Sequence, residues 1–130
     1  MKNVTENARV SENAWVTENA RVTENARVSG SAVVRGDAWV RGDAVIRGDA
    51  LIEKTSDQIT IGPIGSENGY LTVHKDSKIG VRVNRGCFSG SVEEFLEAVK
   101  EKHTENKWGE LYPVILENMV KVLESGEFEG

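Results

Sequence analysis

Aliphatic side chains recur every six residues through the first part of the chain: Val4, Val10, Val16, Val22, Val28, Val34, Val40, Ile46 and Ile52. From Val10 onward each is preceded two positions earlier by an alanine, from Ala8 to Ala50 in the same steps. Six is not a multiple of 3.6, so a helix would smear these residues around its surface. On an extended chain, positions two apart point to the same side. Each unit therefore reads as a very short strand with a small and a branched residue facing inward, closed by a corner.

The corners carry their own pattern. Gly30, Gly36, Gly42 and Gly48 precede Ser31, Asp37, Asp43 and Asp49, whereas the earlier copies place Glu6, Glu12, Glu18 and Glu24 before Asn7, Asn13, Asn19 and Asn25. Glycine supplies permissive dihedrals, and asparagine or aspartate bonds its own backbone at a bend. The Arg-Gly-Asp triplets at 35–37, 41–43 and 47–49 are then corners with an outward arginine before them. A repeat that dictates such triplets gives no reason to expect an adhesion receptor.

An aliphatic residue followed four positions later by a small one, over residues 4–52, resembles the hexapeptide-repeat, left-handed parallel β-helix family. The resemblance implies triangular coils of three repeats, about three coils in all, stacked about 4.8 Å apart. Handedness comes from the resemblance; the period alone implies a stacked repeat. With eighteen residues per coil, the outward positions fall on three faces: Arg9, Arg27 and Val45; Trp15, Val33 and Leu51; Arg21 and Trp39. The second is wholly apolar, and an exposed strip of that kind marks a packing surface. It is expected to meet either the C-terminal half or a neighbouring subunit, with Trp39 counted among the interface residues as a packing tryptophan. The resemblance further implies a homo-oligomer, a trimer with prisms side by side.

After Ile52 the register fails, dividing the chain into 1–54 and 55–130. Short strands are expected over Ile59 to Ile61, Tyr70 to His74 and Ile79 to Val83, with "HKDSK" as a hairpin connection. His74, Arg82 and Asn84 then lie on polar faces of paired strands. Ser91 and Glu94 form a capping-box pattern opening a helix from Val92 to about His103, with Phe95, Leu96 and Val99 inward. A second helix, about Lys107 to Glu124, is expected to use Leu111, Ile115, Met119 and Val122. Pro113 fits only near its start or at a kink. The whole is expected to be mainly β: a short β-helix followed by a small α+β domain with a hairpin and two helices, the helices capping the last coil. "GYLTVHKDSKIGVRVNRGCFSGSVEEF" resembles small hypothetical proteins of bacteria and their phages, which implies no activity.

Composition removes several classes of function. The net charge of -5 lies entirely in residues 55–130, which carry eight basic and thirteen acidic side chains against eight of each in residues 1–54. No basic patch calls for nucleic acid. No apolar run approaches a membrane span, and the start does not read as a signal peptide, so a cytoplasmic location, or a host cytoplasm if the chain is phage-encoded, is expected. A single cysteine, Cys87, and two histidines leave no material for an intrachain disulfide or a zinc centre; no metal and no cofactor is expected.

For chemistry, enzymes resembling the N-terminal repeat are commonly coenzyme A acyltransferases with a histidine base. No histidine occurs in residues 1–73 and no insertion loop interrupts the repeats, so His74 is the catalytic candidate, polarised by Asp76 and with Cys87 as nucleophile. The glycines of "IGPIGSENG" can present consecutive N–H groups to an anion, although they lack the lysine-serine ending of a phosphate loop. Gly62, Gly65, Ser66, His74, Arg82, Asn84 and Arg85 are accordingly the expected contacts of a small anionic ligand, such as a nucleotide to be sequestered or sensed. Cys87 alternatively reads as a small buried hydrophobe, and His103 as a helix C-terminal residue. The favoured function is a non-enzymatic, self-associating structural or interaction protein.

Overall fold

The structure, a computed structural model, describes residues 3–5, 7–65, 67–102 and 106–125. It is mainly β, with two helices at the C-terminal end. Eight two-residue strands carry the repeats: β1 (Arg9–Val10), β2 (Trp15–Val16), β3 (Arg21–Val22), β4 (Arg27–Val28), β5 (Val33–Val34), β6 (Trp39–Val40), β7 (Val45–Ile46) and β8 (Leu51–Ile52). From β1 to β5 each pairs in parallel with the strand three further on, giving the small sheets β1-β4-β7, β2-β5-β8 and β3-β6. Arg9 lies opposite Arg27, Trp15 opposite Val33 and Arg21 opposite Trp39, the offset of eighteen that the outward positions predict.

Why this register holds is visible in the interior. Alanine and the branched residue two positions on both point inward, and from Ala14 to Ile52 they form one continuous apolar core. A slip of one residue would turn that column to solvent. Backbone bonds such as Trp15 N–H to the Ala32 carbonyl, 2.9 Å, tie successive rungs. At the corners Gly30, Gly36, Gly42 and Gly48 hold φ between +62° and +70°. The Asn19 amide donates to Asp37 Oδ1 at 3.3 Å, eighteen residues on. Each Arg-Gly-Asp triplet is thus a corner.

A 3-10 turn, Thr55–Asp57, leads into an antiparallel sheet ordered β12-β11-β10-β9. Its strands are β9 (Gln58–Ile64), β10 (Gly69–Asp76), β11 (Gly80–Arg85) and β12 (Phe88–Ser91). They run longer than expected: Lys75 and Asp76 continue the strand beyond His74, and only Ser77 to Ile79 make the turn. Polar residues at 72, 74 and 76 hid the continuing alternation. On the other face Leu71, Val73 and Val83 are buried against two helices, α1 (Val92–Lys102) and α2 (Lys107–Ser125).

The capping box forms as expected: Ser91 N–H donates to Glu94 Oε1 at 2.9 Å, and Glu94 N–H to Ser91 Oγ at 3.1 Å. Helix α2 buries Met119 and partly buries Ile115 as expected, but Leu111 and Val122 give way to their neighbours in the core. Tyr112, Leu116, Met119 and Leu123 are buried, while Leu111 and Val122 are 41% and 38% exposed. Two apolar stripes share this helix, and aromatic packing decides between them. Tyr112 meets Phe95 edge-on at 5.7 Å and Trp108 at 5.4 Å.

Candidate functional site

Residues along β10 point alternately to the helices and to the repeats. Toward the repeats stand Thr72, His74 and Asp76, with Asn84 beside Thr72 and Arg82 beside His74 on β11. Their partners are also two apart: Val45 N–H donates to Thr72 Oγ1 (3.2 Å), Arg47 N–H to His74 Nε2 (3.3 Å) and Asp49 N–H to Asp76 Oδ2 (3.2 Å). The Asn84 amide donates to the Val45 carbonyl at 2.8 Å. Strand β7 is the edge of its sheet, and side chains of matching period take the place of the strand that would come next.

The other edges of the last rung are closed in the same way. Trp39 N–H donates to Thr55 Oγ1 at 3.0 Å, and the Gln58 amide to the Trp39 carbonyl at 3.4 Å. The buried carboxylate of Asp57 accepts from the Glu53 and Lys54 amides at 3.0 and 3.2 Å. The sheet and turn, rather than the helices, therefore close this end of the repeats. A strand edge needs donors and acceptors every second residue, which a helix face does not offer.

This placement decides the role of His74, Arg82 and Asn84. His74 has no exposed surface; its Nδ1 lies 2.9 Å from the Lys75 carbonyl, so that nitrogen carries the proton and Nε2 accepts from Arg47 N–H. Burial pushes its pKa down to about 4, against the smaller upward pulls of the Lys75 carbonyl and Asp76. Asp76 does face the same region, yet its carboxylate takes Arg82 Nε at 2.7 Å and the Lys78 and Ile79 amides at 2.8 and 3.0 Å. Burial acts to raise the Asp76 pKa, and Arg82 with these amides outweighs it, leaving the group below its ordinary value. Arg82 Nη1 and Asn84 Oδ1 meet at the Ser89 hydroxyl. His74, Arg82 and Asn84 do come together, but as an internal lattice of hydrogen bonds rather than an open polar face.

Gly62, Gly65 and Arg85 lie elsewhere. Gly62 joins Pro63 by a cis bond and borders the cleft described below. Gly65, at φ +86°, passes directly beside the Tyr112 hydroxyl. Arg85 Nη2 donates to the Ile64 carbonyl at 3.3 Å. Arg85 also lines a hollow of about 310 Å³ with Cys87, Phe88 and Tyr112; Cys87 itself is exposed, contrary to the buried reading. Ser66 and His103 fall outside the described residues. Among the described residues no group of three histidine, cysteine or acidic side chains could hold a metal ion.

A larger cleft, about 750 Å³, opens between β6 and β9 and is lined by Trp39, Arg41, Asp43, Lys54, Ser56 and Tyr70 among others. Trp39 is half-buried, its Nε1 donating to Thr23 Oγ1 at 2.7 Å. The guanidinium groups of Arg21 and Arg41 stand 4.1 and 4.3 Å from its ring centre. Tyr70 bonds Asp43, and that bond together with the carboxylate's charge raises the phenol pKa. From sequence alone Trp39 reads as a packing residue; the signal for its second role is Arg41, two residues on and able to reach the same ring.

The strip of Trp15, Val33 and Leu51 forms as one in-register row. Trp15 is 64% exposed, whereas Leu51 is only partly exposed and lines a hollow of about 630 Å³ together with Val81 and Leu123 of the C-terminal half. The C-terminal sheet seats itself on the β7 edge instead, leaving the strip's far end bare. Among the described residues no helix is long and apolar enough to cross a membrane. No protein-family model, curated protein or solved structure matches this chain.

Proposed function

We propose that the protein is a non-enzymatic, self-associating structural protein, built on a short left-handed parallel β-helix of about three coils and closed at one end by its C-terminal sheet. The observation that carries this reading is the row Trp15, Val33 and Leu51, whose tryptophan remains 64% exposed in the folded chain. An indole left in water beside further apolar side chains is stabilised when a second surface covers it. A second copy presents the same row at the same spacing, and resemblance to hexapeptide-repeat proteins makes a trimer the expected closed assembly. Against an acyltransferase reading, the only histidine among the described residues is buried with both ring nitrogens engaged.

Native mass spectrometry of the full chain tests the stoichiometry. A discrete trimer that dissociates under denaturing conditions is the expected result; a monomer under gentle conditions would remove the self-association reading.

A further inference from the structure

The cleft between Trp39 and Tyr70 combines features that the self-association reading does not use. Its volume, about 750 Å³, lies in the range of small-molecule sites, roughly 300–1,000 Å³. Its charged lining is cationic, Arg41 and Lys54 against Asp43, in a chain of net charge -5. Nearby cations are matched with carboxylates: Arg35 with Glu53 at 2.7 Å, Lys75 with Asp57 at 3.1 Å and Arg82 with Asp76 at 2.7 Å. Arg41 and Lys54 make no ion pair among the described residues.

Arg41 is also held in place. Its guanidinium lies over Trp39, and the Trp39 indole is fixed by its bond to Thr23. A stacked guanidinium keeps its planar edge free for a phosphate oxygen pair. On the same cleft the Ser56 hydroxyl and the remaining acceptor positions of the Asp43 carboxylate, which already takes the Tyr70 hydroxyl, offer hydrogen bonds of the kind that hydroxyl groups take, and the ring of Tyr70, a residue 38% exposed, supplies an apolar wall. The space exceeds what a bare phosphate fills.

We propose that this cleft binds a phosphate monoester carried on a hydroxyl-rich skeleton, with Arg41 and Lys54 at the phosphate and Asp43 at the hydroxyls. A sugar phosphate and the sugar-phosphate part of a mononucleotide share that chemistry. The site is separate from the Trp15 row and stands whether or not the chain self-associates.

Calorimetric titration of the full chain with ribose 5-phosphate, adenosine monophosphate, inorganic phosphate and ribose tests it. Saturable binding of one ribose 5-phosphate per chain is expected, with inorganic phosphate weaker by about tenfold or more and ribose showing no heat. Tighter binding of adenosine monophosphate would support the site and assign the base to the Tyr70 wall. The double variant Arg41→Gln/Lys54→Gln should weaken ribose 5-phosphate by about tenfold or more, while Arg9→Gln, on a separate exposed position of the repeats, leaves it unchanged. Circular dichroism matching the unsubstituted chain confirms that both variants fold. Absence of saturable binding by both esters overturns the proposal, as does binding that the folded double variant retains or that inorganic phosphate equals.

Discussion

Glu12, Glu18 and Glu24 hold φ of +58°, +58° and +60°, the conformation that Gly30, Gly36, Gly42 and Gly48 hold in the later corners. A side chain in the left-handed region costs about 1–2 kcal/mol, and glycine returns part of that gain through its freer unfolded chain. Glu18→Gly should therefore stabilise the protein by about 0.5–1 kcal/mol, read as a higher urea midpoint. Gly36→Ala should destabilise it by about 2 kcal/mol or more, because its new Cβ, already at a left-handed φ, would stand 2.5 Å from the Glu53 carbonyl oxygen. His74 supplies a pH dependence. Its folded pKa of about 4 lies below the ordinary 6.5, so the unfolded chain takes the proton first. The stability this group supports is complete above pH 6.5 and is lost as pH falls through 4, by about 3 kcal/mol at most. His74→Gln keeps an acceptor for Arg47 N–H and should flatten the unfolding free energy between pH 6.5 and 4. The lowered pKa of Asp76 adds its loss further down, as pH falls below the ordinary carboxylate value.

At the scale of elements, each boundary follows a local signal, and each mismatch has a physical source. The alanine-valine column fixes the repeat register because its side chains, with Ile46 and Ile52, make up the buried apolar core from Ala14 to Ile52. The Ser91–Glu94 pair is local and therefore legible in sequence. What the sequence hides is which of two faces is covered. Thr72, His74 and Asp76 look like a solvated strand face until the edge of β7, some 27 residues away, is placed against them. Helix α2 poses the same problem, since Leu111 and Val122 stand one residue from the buried Tyr112 and Leu123, while Met119 serves either stripe. Tyr112→Ala should cost about 3 kcal/mol or more, by loss of a buried ring from the Phe95 and Trp108 cluster. Leu111→Ala, 41% exposed, should cost less than about 1 kcal/mol. Equal losses in thermal unfolding would reverse the assignment of faces.

For the whole molecule, the two ends of the repeats differ. The C-terminal rung is closed on its edges by Thr55, Asp57, Gln58, Thr72, His74, Asp76 and Asn84. At the other end Val4, Ala8, Val10 and Val16 are only partly covered, and on the flank Trp15 faces solvent. The chain thus limits growth at one end while leaving apolar surface available for association elsewhere. Of the candidate site, His74, Arg82 and Asn84 are legible in sequence as a polar group but Thr72 is not, and their role is hidden because burial against a distant segment converts polar side chains into internal struts. The cleft at Trp39 was illegible for a related reason: its walls come from β6 and β9, brought together only by the closed end.

Sedimentation velocity of the full chain beside Trp15→Glu tests the central claim most directly. The unsubstituted protein is predicted to sediment as a discrete oligomer across a concentration series, and Trp15→Glu, with an unchanged circular dichroism spectrum, as a monomer. An unsubstituted chain that remains monomeric throughout, or an oligomer that the charged substitution leaves intact, would contradict the account.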